Sequence, residues 1–308
     1  MTTTIARLPR DGVVARPRVP VDAVMLEQRA AELSKRSIKT STKLAGIDIA
    51  IRCTDLTTLE GKDSVGRVRS LCAKAIRPRP GWDDIPSVAA VCVYPNLVAV
   101  AKEALAGSGV KVASVATAFP SGLVDLDVKL ADTAQAIAAG ADEIDMVIDR
   151  GAFLAGHEEA VFDEIAAIKN LCGSVRLKVI LETGELGSYE AMRRASDLAL
   201  EAGADFIKSS TGKVGTNATY PTALVMCEAI RDFYRRTKER RGLKLAGGIR
   251  TTKQALTYLV IVNETLGQAW LQPELFRLGA SSLLDDLLMQ MEKERTGHYA
   301  AADYIPKD

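Results

Sequence analysis

The chain has 308 residues, 47% hydrophobic and 26% charged, with 40 basic residues against 39 acidic and a net charge of +1. That is enough chain for one large core, and the near-neutral balance leaves no electrostatic footprint for nucleic acid or an anionic membrane surface. No apolar run approaches the ~20 residues of a membrane span, and the five scattered cysteines and two histidines, His157 and His298, show no metal-ligand spacing, so neither structural zinc nor a disulfide framework is expected and a reducing, cytoplasmic compartment is.

Residues 1–22 are rich in Arg and Pro and lack an apolar core, and read as a disordered tail rather than a secretory signal. Residues 24–36 have helical spacing and should lid one end of the fold. An alternation then begins. Short β-rich runs occur at 47–53, 88–94, 110–117, 143–148, 175–182, 206–210, 243–246 and 276–278. Helical patterns fill 64–76, 95–106, 126–139, 157–171, 188–201, 220–238 and 252–265, and an eighth runs from 282 to about 295. Eight of each predicts an α/β fold of the (β/α)8 TIM barrel class, one domain over 23–296, with an extra N-terminal helix and a C-terminal tail at 297–308. A doubly wound sheet is the alternative, but no GxGxxG follows the first run. The segments Ala139-Gly140-Ala141-Asp142-Glu143-Ile144-Asp145 and Ala202-Gly203-Ala204-Asp205-Phe206-Ile207-Lys208 echo each other, and each Gly suits the end of a helix that drops into a strand. The basic run 232–242 reads as a solvated helix end.

The run 175–182 is the most informative. Val175, Leu177, Val179 and Leu181 share one face; Arg176, Lys178, Ile180 and Glu182 share the other. A lysine in the middle of a strand that helices should cover needs a partner or a task. In the run 143–148, Asp145 falls on the face with Glu143 and Val147. Asp145 and Lys178 can therefore meet in the lumen, because neighbouring strands lie ~4.8 Å apart. Lys213 follows the sixth run, at the C-terminal rim where barrel active sites sit. Two lysines and a carboxylate around one cavity suit covalent chemistry: one ammonium lowers the pKa of the other, the neutral amine attacks a carbonyl, and the carboxylate moves protons. The other reading of the trio is a buried Lys–Asp salt bridge with Lys213 at the surface. Gly247-Gly248 after the seventh run, and Gly279-Ala280-Ser281-Ser282 opening a helix after the eighth, are suited to a phosphate.

The motifs 54–59 (TDLTTL), 91–95 (VCVYP), 142–145 (DEID), 177–186 (LKVILETGEL), 205–213 (DFIKSSTGK), 246–250 (AGGIR) and 276–282 (FRLGASS) together resemble the 2-deoxyribose-5-phosphate aldolase family over roughly residues 47–288. The resemblance implies a class I, Schiff-base carbon–carbon lyase acting on a small phosphorylated sugar with acetaldehyde as the second product, in deoxyribose phosphate catabolism and without a cofactor. It implies Lys178 as the Schiff-base lysine, Lys213 as the lysine that depresses its pKa, and Asp145 as the relay carboxylate. Asp55, Thr57, Cys92, Thr183, Gly212, Gly247, Gly248, Gly279, Ser281 and Ser282 are implied around the substrate. A homodimer is the family expectation. The tail 297–308 resembles that of the longer animal-type members, with Tyr299 or Tyr304 a candidate to reach the site.

Overall fold

A computed structural model describes residues 18–36, 38–215 and 218–298. Eight parallel strands close into a barrel in sequence order: β1 (Thr54–Thr57), β2 (Ala90–Val93), β3 (Lys111–Ala116), β4 (Glu143–Val147), β5 (Arg176–Ile180), β6 (Phe206–Lys208), β7 (Gly242–Ala246) and β8 (Phe276–Ala280). The helices are α1 (Ala23–Ser34), α2 (Thr40–Arg52), α3 (Val65–Ile76), α4 (Val98–Ala104), α5 (Leu126–Ala138), α6 (Arg150–Leu154), α7 (Glu158–Cys172), α8 (Tyr189–Glu201), α9 (Tyr220–Thr237), α10 (Thr252–Leu266) and α11 (Leu283–Thr296). The expected TIM barrel is present. Most of the expected tail 1–22, and Tyr299 and Tyr304, lie outside the described residues. No described helix is long and apolar enough to cross a membrane.

Two elements depart from expectation, and the simpler is the short α6, an unexpected turn of helix between β4 and α7. The run 47–53 is not the first strand but the second half of α2, so two helices precede the barrel and β1 begins at Thr54. Ile47, Ala50 and Ile51 are all buried, which is i, i+3, i+4 spacing, and Asp48 pairs with Arg52 at 2.7 Å one turn on. Alternating Ile residues in so short a run fit both periods. Tertiary packing decides: α2 lies against α10 and α11, close enough that a Cβ on Gly46 would meet Leu256 Cδ2 at 2.6 Å.

The sequence echo marks two equivalent helix-to-strand corners. After α5 and α8, Gly140 and Gly203 take φ of 101° and 98°. Ala141 and Ala204 then donate back to Ala136 and Ala199, closing both helices alike. The aspartates that come next do the same work twice: Asp142 accepts from Val112 N and pairs with Lys102, and Asp205 accepts from Leu177 N and pairs with Lys169. Each ties the entering strand to the one before it. Three residues further on, the two segments place Asp145 and Lys208 in the lumen, joined at 2.7 Å.

Most of the core lies between the sheet and the helices, where residues such as Leu177, Val179, Ile144 and Leu278 are buried. The lumen is divided. On the β2–β3 side it is apolar, filled by Ala90, Cys92, Ala113 and Val115 with Leu59 above and Tyr94 and Phe119 against them. On the side of β4 to β8 and β1 it is charged.

Candidate active site

Among the described residues, the charged half of the lumen holds four cations and three carboxylates, all buried: Lys178, Lys208, Lys244 and Arg277 with Asp55, Glu143 and Asp145. Strand register sorts them into levels. Asp145 pairs with Lys178 across β4 and β5, and Lys178 in turn faces Phe206 on β6. Lys208 lies two residues beyond Phe206, so it stands one side-chain layer, about 6.6 Å, nearer the C-terminal rim. Lys244 is in register with Lys208.

The deep level is closed. Lys178 Nζ lies 2.6 Å from Glu143, 2.8 Å from Asp145 and 3.8 Å from Asp55. Arg277 forks between Glu143 and Asp55, at 2.6 Å to each, and its Nε donates to the Pro273 carbonyl. Burial opposes the charge on Lys178, but Asp145 and Glu143 outweigh it and hold its pKa above the ordinary value. Burial also works against ionisation of the carboxylates. Lys178 and Arg277 nevertheless hold Glu143 low, Arg277 and Lys244 hold Asp55 low, and the three lysines keep Asp145 well below the usual carboxylate range.

The upper level opens on a cavity of about 270 Å³ at the C-terminal mouth of the barrel. Lys208 and Lys244 line it, with Thr57, Lys213, Gly247, Gly248 and Ser282 among the wall residues. Both lysines donate to the same oxygen, Asp145 Oδ2, at 2.7 Å. That places them within the ~4–6 Å over which one ammonium disfavours another. Lys244 has a second partner, Asp55 Oδ2 at 2.6 Å, and its pKa is raised because Asp145 and Asp55 outweigh burial. Lys208 has only the shared oxygen. Burial, aided by the Lys244 charge and opposed by Asp145, lowers its pKa. A cavity, a buried amine whose pKa is held below its ordinary value, a neighbouring cation and a shared carboxylate are what imine formation requires.

Of the two readings the sequence leaves open, this geometry matches the second. Lys178 does face the lumen and does touch Asp145, but it is not on the cavity wall. Lys213 is not beside it: it stands on the rim after β6, paired with Glu60 at 2.9 Å and partly exposed. Spacing alone does not say where a residue beyond the end of a strand goes, and here the loop carries Lys213 up and outward. Thr57, Gly212, Gly247, Gly248, Gly279, Ser281 and Ser282 line the cavity as expected. Asp55, Cys92 and Thr183 are buried off it. Asp55 anchors Lys244; Cys92 is a small core side chain whose thiol burial pushes upward; Thr183 bonds to the Ser209 carbonyl. Gly279 serves first as clearance, since a Cβ there would lie 3.0 Å from both Lys244 Cε and Ala246 Cβ.

Sequence reading missed Lys208, Lys244, Glu143 and Arg277, and also Glu182. The last is fully buried with a left-handed backbone, φ 53°, and its carboxylate takes both the N–H and the hydroxyl of Thr211, shaping the loop that carries Gly212 and Lys213. The signal for Lys208 and Lys244 was the same as for Lys178: a lysine at an inward position of a barrel strand.

A family described as DeoC/LacD family aldolase matches residues 49–287. The chain belongs to that family. It is 45% identical over 300 residues to the deoxyribose-phosphate aldolase of Mus musculus and 43% identical to that of Homo sapiens, in each case over 94% of both chains. Among solved structures it resembles the tetrameric deoxyribose phosphate aldolase of Aeropyrum pernix, with a TM-score of 0.64 at 24% identity over 90% of this chain and 100% of that one, a likeness of fold. Membership makes the chain a carbon–carbon lyase of the aldolase type, and the barrel and its lumen are those on which such chemistry is built.

Proposed function

We propose that this enzyme reversibly cleaves 2-deoxy-D-ribose 5-phosphate to D-glyceraldehyde 3-phosphate and acetaldehyde through an imine on Lys208. The substrate is taken from the mouse and human relatives, to which the likeness runs nearly end to end. One observation carries the nucleophile: of the three lumen lysines, Lys208 alone combines a place on the cavity wall with an amine held below its ordinary pKa. Lys178 has neither, and Lys244 has only the first.

The neutral Nζ of Lys208 adds to C1 of the open-chain aldehyde, and loss of water leaves a protonated imine. The C2–C3 bond breaks as its electron pair moves toward the imine nitrogen and the C3 hydroxyl gives up its proton. Glyceraldehyde 3-phosphate leaves, and a two-carbon enamine stays on Lys208. Protonation of the enamine carbon and hydrolysis release acetaldehyde and the free amine. Asp145, which contacts both Lys208 and Lys244, is the carboxylate placed to pass protons during these steps. Lys244 stays cationic and keeps the amine beside it unprotonated.

The phosphate is assigned to the rim. Gly247 and Gly248, with φ of 95° and 88°, and the 281–282 turn that opens α11 line the same side of the cavity, so backbone N–H groups and the helix dipole favour an anion there. The two acids in the first turn of α11 are engaged elsewhere, Asp285 with Lys74 and Asp286 with the Thr252 N–H. Lys213 adds a cation once it leaves Glu60. Cytoplasmic location and a homodimer belong to the same proposal. The first is supported by five buried cysteines, none in a disulfide; the second is the family expectation, checked by sedimentation equilibrium.

Reduction with borohydride in the presence of acetaldehyde, followed by peptide mass mapping, tests the assignment. The two-carbon adduct is expected on Lys208. An adduct on Lys178 would restore the sequence-based nucleophile, and no adduct with any aldehyde would remove the Schiff base altogether.

A further inference from the structure

We propose that Arg277, which lies below the cavity and touches no substrate, is a positioning residue that keeps Lys208 unprotonated by holding the lumen one cation ahead of its carboxylates. This inference rests on the reading of Lys208 as the nucleophile and adds what sets its protonation.

The lumen that holds Lys208 collects charged groups from five strands besides its own β6, and Asp145 and Lys244 are the ones nearest it. β1 supplies Asp55, β4 Glu143 and Asp145, β5 Lys178, β7 Lys244 and β8 Arg277. β2 supplies Cys92, whose thiol burial keeps neutral, and β3 supplies only Ala113 and Val115. Four potential cations thus face three carboxylates, all of them buried, with only the upper level bordering the cavity. At the rim Lys213 pairs with Glu60 and Arg67 with Asp63, Glu182 is bonded to the N–H and hydroxyl of Thr211, and Arg250 lines the cavity from its exposed side.

A surplus charge in such a place is expensive, and the cheapest relief is to lose one proton. Arg277 cannot supply it, because a guanidinium does not deprotonate in proteins. Its charge is therefore permanent, and it occupies Asp55 Oδ1 and both oxygens of Glu143. What remains must serve three lysines. Lys178 retains close contacts with Glu143 and Asp145, and Lys244 with Asp55 and Asp145. Lys208 has one contact, on an oxygen Lys244 also uses. The proton that leaves is the one on Lys208. The deep level thus does more than brace the site: by committing a carboxylate and a half to an arginine, it makes one lysine of the upper level neutral.

The test is the acid limb of the pH profile of kcat/KM for 2-deoxyribose 5-phosphate, read alongside borohydride trapping with acetaldehyde at each pH. Arg277→Gln removes the surplus, lets all three lysines be charged, and should move the limb up by about one pH unit. Arg277→Lys keeps a cation between the same two acids and should leave the limb in place. Arg277→Gln with Glu143→Gln removes one charge of each sign, restores the surplus and should bring the limb back to the wild-type position. A purely structural role predicts the reverse order, with the double variant no better than the single. The proposal fails if Arg277→Gln leaves the limb unmoved, or if the double variant is displaced as far as the single. If Arg277→Gln does not fold, the double variant decides, since it removes a buried pair whole: a limb about one unit from wild type overturns the idea. Mapping of the trapped wild-type protein separates the two levels of inference. Label on a lysine other than Lys208 ends both; label on Lys208 with the wrong order of limbs ends only this one.

Discussion

Lys178 and Lys208 stand on neighbouring strands, face the same lumen and bond to the same carboxylate, yet they are driven in opposite directions. Lys178 has Glu143 and Asp145 at its ammonium and no cavity, and it is held charged. Lys208 has half a claim on one oxygen and a cavity beside it, and it is driven toward the free amine. One side-chain layer of the lumen separates the lysine assigned a structural role from the proposed nucleophile. The residue type is not what differs; the number of carboxylate oxygens left for each lysine is. The lower layer is a saturated ionic lattice, and the upper layer is the same lattice left one acid short.

The sharpest way to break this contrast is to exchange the two positions' losses. Lys208→Leu should remove turnover by on the order of 10^4-fold or more and abolish the borohydride adduct, with the circular dichroism spectrum unchanged. Lys178→Met should do the opposite. It leaves Glu143 and Asp145 short of a cation in a buried site, so it should cost about 3–5 kcal/mol in urea or thermal unfolding, while the adduct still forms on Lys208 once the pH is raised to offset the lost cation. Equal loss of adduct in both variants would erase the distinction.

The barrel was legible because it needs only a count of alternating periods, and seven of the eight strands lie where short apolar runs suggested. α2 was not, because Ile47, Ile49 and Ile51 fit a strand until α10 and α11 are there to receive Ile47, Ala50 and Ile51. The site was half legible. Asp145 and Lys178 were found by parity within a single strand, which sequence does provide. Their separation from the cavity depends on the stagger between β5 and β6, which no single strand encodes. The internal repeat did carry a clue: its two copies end in Asp145 and Lys208, the pair that meets in the lumen. Lys213 was overvalued because a lysine in a Gly-containing loop reads the same whether the loop turns inward or outward.

Lys244 sharpens the contrast from the other side, being an upper-layer lysine with a lower-layer supply of acids. Lys244→Met should lower kcat/KM by about 10^2–10^3-fold and also shift the acid limb. With the neighbouring cation gone, the Lys208 pKa rises, less of the amine is free at a given pH, and the optimum moves upward. A drop in rate with an unmoved limb would mean that Lys244 acts only on protons in flight.

Stability against pH should show the lower layer directly. Asp55, Glu143 and Asp145 all titrate below their ordinary values in the fold. Their contribution is fully present above the unfolded carboxylate pKa of about 4 and is lost as pH falls through the folded values. Lys178 and Lys244 titrate above theirs, so their contribution is present below about pH 10 and lost as pH rises past the folded values. Lys208 has the opposite sign and costs stability wherever an unfolded lysine would be charged. Thermal melts across pH should therefore show a plateau with steep loss below about pH 4. Glu143→Gln should shrink the acid loss without altering the alkaline side as much.

The smallest effect should come from the rim, where charges meet water. Lys213 is about a third exposed and its pair with Glu60 is half in solvent, so the pair itself contributes little to stability. Its value is expected only when an anion arrives: the ammonium can exchange Glu60 for a phosphate while the N–H groups of 247–248 and the α11 terminus take the other oxygens. Lys213→Met should then raise KM for the phosphorylated sugar by roughly tenfold and leave kcat close to wild type, with the effect fading in high salt. Unphosphorylated 2-deoxyribose, which offers nothing for Lys213 to bind, should be processed equally by both proteins. If instead kcat falls and the Lys208 adduct forms more slowly with acetaldehyde, which carries no phosphate, then Lys213 does reach the amine during turnover, and the separation between rim and lumen drawn from its contact with Glu60 is wrong.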